Sequence, residues 1–167
     1  YEVPPSFFEN VLGKHLKYSS GYWPEGTKTL DDSEEEMLKL SFNRAELLDG
    51  HSVLELGCGW GSLTCYMAQK LPNSKITAVS NSKDQKNHIL NRCKAQSLNN
   101  VEVITADMND FNTENCFDRV VSIEMFEHMR NYEELLSRVY SWLNNGGKLF
   151  IHIFSHESVV YPFENQG

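Results

Sequence analysis

Three titratable side chains stand close together where a predicted strand gives way to a predicted helix. Glu127 and His128 follow Glu124 by three and four positions. That spacing places all three on one face if the strand turns directly into a helix. Neighbouring carboxylates attract a cation, and carboxylate and imidazole groups both take up protons. The cluster predicts proton transfer at a cationic substrate; the alternative is that Glu127 and His128 only bind backbone around the turn.

A glycine-rich loop supplies a second candidate site. Residues 52–62 read SVLELGCGWGS, an apolar run that stops at a glycine, and apolar residues at helical spacing follow it. Strand, loop and helix in this order form the first half of a βαβ unit. The glycines let the backbone lie against a ligand, and the helix start offers unpaired N–H groups. The loop predicts a ligand site, with a tight turn that binds nothing as the alternative.

The glycine spacing argues against a dinucleotide. The glycines fall at 57, 59 and 61, whereas the dinucleotide fingerprint places its third glycine where this chain has Ser62. The fingerprint also needs an acidic residue about 20 positions further on, for the ribose. The second predicted strand, at 75–79, instead ends in Ser80, Asn81 and Ser82. Both departures disfavour a nicotinamide oxidoreductase, which stays open as an alternative.

Strand and helix patterns alternate along the rest of the chain. Further strands are predicted at residues 101–105, 117–123 and 148–154. The helices are predicted at residues 63–71, 83–97 and 132–143, with a turn at 144–147. This alternation predicts an α/β doubly wound, mostly parallel sheet with right-handed crossovers. Ligands bind such sheets at the carboxyl edge of the strands, where the glycine loop, Ser80, Asp107 and Glu124 fall.

The first 50 residues predict a helical segment ahead of the sheet. Ser6 is expected to cap a helix over 6–12, and Ser33 with Glu36 to form the capping box of a helix over 30–48. The acidic run at 31–36 is interpreted as a solvated helix start. Between the two helices, residues 17–24 form a polar and aromatic loop that either packs on the core or closes over a site.

Composition limits the classes of partner. The 167-residue chain has a net charge of −8, from 23 acidic against 15 basic residues. This charge repels phosphate backbones, so nucleic acid is not expected as a partner, while a cationic substrate is attracted. No apolar run approaches about 18 residues, so stable membrane insertion is not expected. The four cysteines lack metal-site spacing, so no metal is expected, and they indicate reduced thiols in a cytoplasmic protein.

These motifs resemble those of class I S-adenosylmethionine-dependent methyltransferases. The resemblance is carried by ELGCGWG at 55–61, SNSKDQ at 80–85, Ala106 with Asp107, and EMFEHM at 124–129. More narrowly, the chain resembles the cyclopropane-fatty-acid synthase family and its plant coclaurine N-methyltransferase-like branch. YEVP at 1–4 and KYSSGY at 17–22 match that family as well.

The resemblance implies a role for each candidate cofactor residue. Those expected around the methionine end of S-adenosylmethionine are Tyr18, Ser19, Gly57, Cys58 and Gly59. Those expected to hold the ribose are Ser80, Asn81 and Gln85. Asp107 is expected to bind the adenine amino group with Met108 against the ring, and Ile123 is counted in the same site.

The implied reaction is methyl transfer from a sulfonium, with S-adenosylhomocysteine as product. A protonated amine cannot attack, so a base is needed beside the methyl group, and Glu124, Glu127 and His128 are the candidates. Cyclopropane synthases typically have cysteine where Ser20 stands and glycine where Glu124 stands, and Glu124 would repel the bicarbonate that those enzymes hold. Both departures favour a small-molecule amine over a lipid alkene; lipid cyclopropanation is the alternative.

The resemblance also implies a division of the chain. Residues 1–50 are expected to close over the cofactor, residues 51–154 to form the cofactor-binding core, and residues 155–167 to begin a substrate lid. The class usually adds two antiparallel strands after the fifth, so an inactive cofactor-binding module stays open. The fifth strand is apolar on both faces, so its unpaired edge is expected to favour a homodimer unless residues 159–163 fold back over it.

Overall fold

A five-stranded parallel sheet in the order β3-β2-β1-β4-β5 organises the molecule. A computed structural model describes residues 4–158 of the chain. The strands are β1 Ser52–Leu56, β2 Lys75–Ser80, β3 Val101–Thr105, β4 Phe117–Ile123 and β5 Leu143–His152. The helices are α1 Pro5–Val11, α2 Leu30–Arg44, α3 Ser62–Lys70, α4 Lys83–Ala95 and α5 Tyr132–Trp142, with a 3-10 turn at Phe126–His128. The predicted α/β doubly wound architecture is confirmed.

The strand order reverses at β1. This strand pairs in parallel with β2 on one side and with β4 on the other. The chain therefore leaves β3 at one edge of the sheet and crosses to the far side of β1 to form β4. Because Leu56 is paired with Ser122, Gly57 and Glu124 leave the sheet next to each other at its carboxyl edge. Such a reversal is where open α/β sheets bind ligands.

The two central strands form a rigid floor beneath this edge. Val53, Leu54 and Leu56 of β1 are fully buried, as are Val120 and Val121 of β4. Successive side chains point to opposite faces, so Val53 packs with α3 while Leu54 packs with α5. Burial on both faces explains why these strands are continuously apolar rather than alternating.

Helix α2 differs from the prediction at its cap and its end. Its N-cap is Thr29, whose hydroxyl accepts the Asp32 N–H at 3.2 Å while the Asp32 carboxylate accepts the Thr29 N–H at 3.1 Å. The predicted box at Ser33 is wrong, because Ser33 already lies inside the first turn and donates to the Leu30 carbonyl. The helix ends at Arg44 because Glu46 takes a left-handed φ of 50° and the Leu47 N–H turns back to the Phe42 carbonyl at 3.3 Å.

Two further boundaries differ from the sequence prediction. Helix α1 follows Pro4, which offers no side-chain cap, so the predicted cap at Ser6 is wrong. The predicted turn at 144–147 belongs to β5, whose register against β4 shifts between Phe117 and Arg119. Gly146 lies in this irregular stretch at φ 80°, a backbone conformation that glycine adopts without strain. The strand therefore starts earlier than its apolar residues indicate.

The outer strand β5 is less buried than predicted: Leu149 and Phe150 pack partly buried against the two core clusters, whereas Ile151 is 37% exposed. Its neighbour in the sheet is β4, so β5 forms an edge of the sheet that residues 4–158 build. Ile153 and Phe154, just beyond it, are 46% and 58% exposed. An apolar edge favours association, and a homodimer through it stays a prediction. Residues 159–163 lie outside the described residues, as do the first three residues of the motif at 1–4.

Within the described part of the chain, every helix is too short or too polar to cross a membrane.

Candidate active site

A cleft opens where the glycine loop, the loop at 17–20 and the end of β4 meet. Its empty space is about 490 Å³ when the part open to solvent is included. The predicted site residues in its lining are Tyr18, Ser19, Gly57, Cys58, Gly59, Ile123 and Glu124. The other lining residues are Lys17, Leu38, Ser41, Glu55, Trp60, Ser62 and Leu63. The fold therefore brings together four segments that are far apart in the sequence, one of them in α2.

The glycine loop is shaped by contacts within the protein. The N–H groups of Gly57 and Cys58 both donate to the Val79 carbonyl of β2, each at 3.0 Å. Gly57 has φ 78°, and a Cβ added to it would lie 2.8 Å from the Cβ of Met125. This position therefore needs glycine for its backbone conformation and for its space.

The ring of Tyr18 lies against the glycine loop. A Cβ on Gly59 would be 3.0 Å from Cε1 and 3.1 Å from the hydroxyl of Tyr18. The ring also contacts Phe8 of α1, with centroids 6.3 Å apart. The sequence left open whether the aromatic loop packs on the core or closes over a site. In the structure, this part of the loop covers the glycine loop.

A buried glutamate of α2 anchors the loop that carries Tyr18. Glu34 is 1% exposed, and its two carboxylate oxygens accept the N–H groups of Gly13 at 2.8 Å and His15 at 2.9 Å. Asp31 accepts the N–H of Lys14 at 2.8 Å. The interpretation of the acidic run as a solvated helix start is therefore wrong for Glu34, which is buried, whereas Asp31 stays exposed in the first turn while it satisfies a backbone donor of the neighbouring loop.

Glu124 enters the cleft from the end of β4. Its N–H donates to the His152 carbonyl at 2.7 Å, and the Ser20 hydroxyl donates to its carboxylate. Burial alone would raise the pKa of Glu124. Hydrogen bonds from Ser19 and Ser20 and the positive charge of Lys17 more than offset burial, so the pKa lies below its ordinary value. Glu124 is therefore ionised at neutral pH.

Lys17 is a lining residue that the sequence analysis missed. It is 8% exposed although lysine is seldom buried. Burial lowers the pKa of Lys17, and the carboxylates of Glu124 and Glu34 oppose that effect. The residues next to Lys17 in the sequence do not predict its burial, because the carboxylates of Glu124 and Glu34 come from other elements.

Glu55 is a second residue that the candidate set did not include. It lies at the base of the cleft, and its carboxyl accepts the Thr64 hydroxyl at 2.5 Å. Full burial raises the pKa of Glu55 to about 8. The group is therefore largely protonated and neutral at pH 7, so it adds little negative charge to the cleft.

The three titratable residues do not share one helical face, contrary to the prediction. Glu124 has φ 53°, and this left-handed residue separates β4 from the 3-10 turn that carries Glu127 and His128. Glu127 accepts the Phe154 N–H at 3.1 Å through Oε1, while its Oε2 is buried without a hydrogen-bond partner. His128 is exposed on the same turn. Both residues lie beside the lining of the cleft rather than in it.

The residues predicted for the ribose and adenine lie at the ends of β2 and β3. The buried Ser80 hydroxyl donates to the Gln85 amide oxygen at 2.5 Å, and Asn81 beside it is exposed. Asp107 is exposed, and its Oδ1 accepts the backbone and amide N–H groups of Asn109, both at 2.8 Å. Met108 is half-buried. These residues line the same sheet edge but lie outside the cleft described above.

A histidine of β5 lies close to the charged groups of the cleft. His152 is half-buried on β5, and the nearby charges include those of Glu124 and Glu127. Burial lowers the pKa of His152. Among residues 4–158, no group of three or more histidine, cysteine or acidic side chains is placed to hold a metal.

The strand order, the reversal at β1 and the glycine loop at that point define a class I methyltransferase-like fold. A solved structure of coclaurine N-methyltransferase bound to N-methylheliamine and SAH has a TM-score of 0.87 and 43% identity, covering 90% of this chain and 45% of that one. The cyclopropane synthase MmaA2 from Mycobacterium tuberculosis shares the fold with a TM-score of 0.82 at 24% identity, over 92% of this chain and 54% of that one.

The chain belongs to the mycolic acid cyclopropane synthetase family, whose model matches residues 1–161. Pavine N-methyltransferase from Thalictrum flavum subsp. glaucum is 43% identical over 98% of this chain and 46% of its own length. Cyclopropane-fatty-acyl-phospholipid synthase from Escherichia coli K12 is 31% identical over 91% of this chain and 38% of its own length. The chain thus spans about half the length of the curated relatives it matches, and the resemblance seen in the sequence is confirmed.

Proposed function

We propose that this chain forms the cofactor-binding half of an S-adenosylmethionine-dependent enzyme that methylates the nitrogen of a small-molecule amine. The observation that carries the proposal is Glu124, an ionised carboxylate beside the glycine loop, where the resemblance puts glycine in cyclopropane synthases. A carboxylate attracts a cationic amine, whereas a lipid alkene has no charge for it to bind. Similarity supports the same choice, with 43% identity to pavine N-methyltransferase against 31% to the Escherichia coli cyclopropane synthase.

The cleft fits the methionine end of S-adenosylmethionine. Gly57 and Gly59 let the backbone approach Met125 and Tyr18 closely, because a Cβ on either glycine would meet those side chains, and Tyr18 thereby lies over the loop. The Ser62 hydroxyl in the lining is buried without a hydrogen-bond partner, so a polar ligand group can satisfy it. Ser80 and Gln85, and then Asp107, continue the site along the sheet edge toward the ribose and adenine. When bound, the cofactor supplies a methyl group on a sulfonium with a good leaving group.

The acidic groups supply what an amine needs before it can attack. A protonated amine is drawn to Glu124 by its charge, and a base must then remove the proton that blocks the nitrogen lone pair. We assign this proton to Glu127, whose Oε2 is a buried oxygen with no hydrogen-bond partner, with His128 assisting from the same turn. The N–C bond forms as the C–S bond breaks, S-adenosylhomocysteine leaves, and the carboxylate keeps the proton.

The other parts of the proposal follow from the same site. Residues 1–50 close over the cofactor, residues 51–154 bind it, and residues 155–167 begin the region that covers the amine. Anchoring of the Tyr18 loop by Glu34 supports the first of these assignments. We also propose a cytoplasmic enzyme with no nucleic-acid partner, as its charge of −8 favours.

A radiolabelled-methyl assay on the full-length protein tests the function. Secondary and tertiary amines form one arm, and vesicles of unsaturated phospholipid form the other. Label in an amine product is the expected result. Label in the lipid chains would favour cyclopropanation. No transfer in either arm, combined with calorimetric binding of S-adenosylhomocysteine, would favour a cofactor-binding module. Binding of NADH instead would favour the oxidoreductase.

Replacing Asp107 tests the adenine assignment. Asp107→Ala is expected to weaken S-adenosylhomocysteine binding by about 1–3 kcal/mol, because a ligand donor loses its acceptor. Asp110→Ala, at an exposed acid three positions further on, is the matched control and should bind normally. Calorimetric titration of both variants measures the difference, and equal affinities would show that Asp107 does not bind the adenine.

A further inference from the structure

Residues 17–20 and the Glu124 side chain at the end of β4 form a small cluster of charged and polar groups. Lys17 and Glu124 both line the cleft, and hydrogen bonds from Ser19 and Ser20 reach the Glu124 carboxylate. Two serines of one loop thus hydrogen-bond to the carboxylate at the end of β4, and Lys17 of the same loop lines the cleft with it. Glu124 is half-buried, so it keeps its charge only with such partners.

Backbone conformation marks the same place. Leu16, Ser20 and Glu124 have φ of 55°, 53° and 53°, in the left-handed region that non-glycine residues seldom adopt. Each such residue costs of order 1 kcal/mol or more, so surrounding contacts must hold it. The side chains of Ser20 and Glu124 are joined by a hydrogen bond, and Leu16 belongs to the same loop as Ser20. Three of the five left-handed non-glycine residues among those described therefore lie in this loop or at the carboxylate that it meets, and the other two are Glu46 and Ser97.

The other charged groups around the pair are already engaged or neutral. Glu34 faces Lys17 from α2, but both its oxygens accept backbone N–H groups. Glu55 on β1 is largely protonated at neutral pH. On β5, His152 faces Glu124 and Lys17, and Glu127 and Arg44 face His152 in turn, while burial favours the neutral imidazole. Lys17 is therefore the cation best placed to balance Glu124 at neutral pH.

We propose that Lys17 is a positioning residue, which holds the Glu124 side chain as a carboxylate in the cleft so that it can receive a cationic amine. Lys17 contacts neither the reacting nitrogen nor the methyl group in this scheme, and it acts through Glu124 alone. The expected effect on amine binding rests on the proposed function, because it assumes that the Glu124 carboxylate receives the amine. The pairing itself is independent of that function.

Removing the Lys17 ammonium is expected to change the pKa of Glu124 in one direction only. Without Lys17, burial of Glu124 is less opposed, and its pKa rises. The ionised fraction then falls as pH is lowered toward the new pKa, while at pH 8 the carboxylate stays charged. Loss of amine binding should therefore appear on the acidic side and be small on the basic side. A lysine with a purely structural role would weaken binding at every pH.

Carbon-13 NMR of labelled glutamate side chains measures this directly. The Glu124 signal is assigned by its loss in Glu124→Gln, and its titration is followed downward from pH 7.5. In Lys17→Met the midpoint should move to higher pH, in Lys17→Arg it should return toward wild type, and in Lys39→Met it should not move. Lys39 is a matched control because it is exposed on α2 and pairs with Glu36. An unchanged Glu124 midpoint in a folded Lys17→Met protein would overturn the proposal.

A reciprocal measurement guards against a variant that fails to fold. In Glu124→Gln, Lys17 is intact but has lost a counter-charge, so its own titration midpoint should fall if the two groups interact. An unchanged Lys17 midpoint would also overturn the pairing. In the full-length enzyme, Lys17→Met should raise the KM for amine severalfold more at pH 6 than at pH 8, with Lys17→Arg restoring it. If no amine is methylated, the proposed function fails, yet the NMR midpoints still decide the pairing.

Discussion

Glu127→Gln is expected to lower the turnover of amine methylation by roughly 10²-fold, with S-adenosylhomocysteine affinity unchanged. Glutamine keeps a carbonyl oxygen that can accept the Phe154 N–H, so the bond of Oε1 at 3.1 Å survives. What it loses is the capacity of the buried Oε2 to take a proton. The substitution therefore separates proton transfer from support of the chain after β5. Single-turnover methyl transfer on full-length protein measures it.

A second substitution and a control sharpen this test. Glu127→Ala removes both oxygens and should cost at least as much turnover, with some loss of thermal stability because the Phe154 N–H is left without its acceptor. Glu133→Gln, an equal charge change on the exposed face of α5, should leave turnover unaltered. Should Glu127→Gln react at the wild-type rate while Glu127→Ala is destabilised, Glu127 would be a structural residue. His128→Ala then becomes the decisive variant for the base.

The sheet was predictable from the sequence because its signals are local. Strands β3 and β4 match their predicted bounds, since both are rich in the β-branched residues that strands favour. The helix caps were less predictable. Thr29 and Ser33 both start an apparent capping box on the same helix, and which one lies outside the first turn depends on the direction of the incoming chain. The sequence does not record that direction.

The site was predictable in its position but not in its electrostatics. Parallel strand ends bring Gly57 and Glu124 together whatever the loops do. Burial of Lys17, by contrast, depends on a loop that Glu34 pins from another helix, and neither residue has a motif that predicts the contact. The spacing of Glu124, Glu127 and His128 also gave a wrong prediction. A single left-handed residue, Glu124, breaks the helical face that residues three and four positions apart would share.

The glycine loop offers the other large effect. Gly57→Ala is expected to weaken S-adenosylhomocysteine binding by roughly tenfold or more, because the loop must move to relieve a contact in the packed floor of the site. The added Cβ would lie 2.8 Å from the Cβ and Cγ of Met125 while the backbone has φ 78°. Two penalties therefore act together, a strained φ and a steric overlap. Calorimetric titration with S-adenosylhomocysteine and chemical unfolding measure their consequences for binding and stability.

Gly146 separates these two penalties. Its φ of 80° is close to that of Gly57, but a Cβ added there meets no atom within 4 Å. Gly146→Ala should therefore lose about 1–2 kcal/mol of stability from the left-handed backbone alone, and bind S-adenosylhomocysteine like wild type. If Gly57→Ala loses stability in the same measure but keeps full affinity, the loop does not cradle the ligand. If its affinity falls while that of Gly146→Ala does not, the overlap with Met125 has displaced the backbone that the ligand lies against.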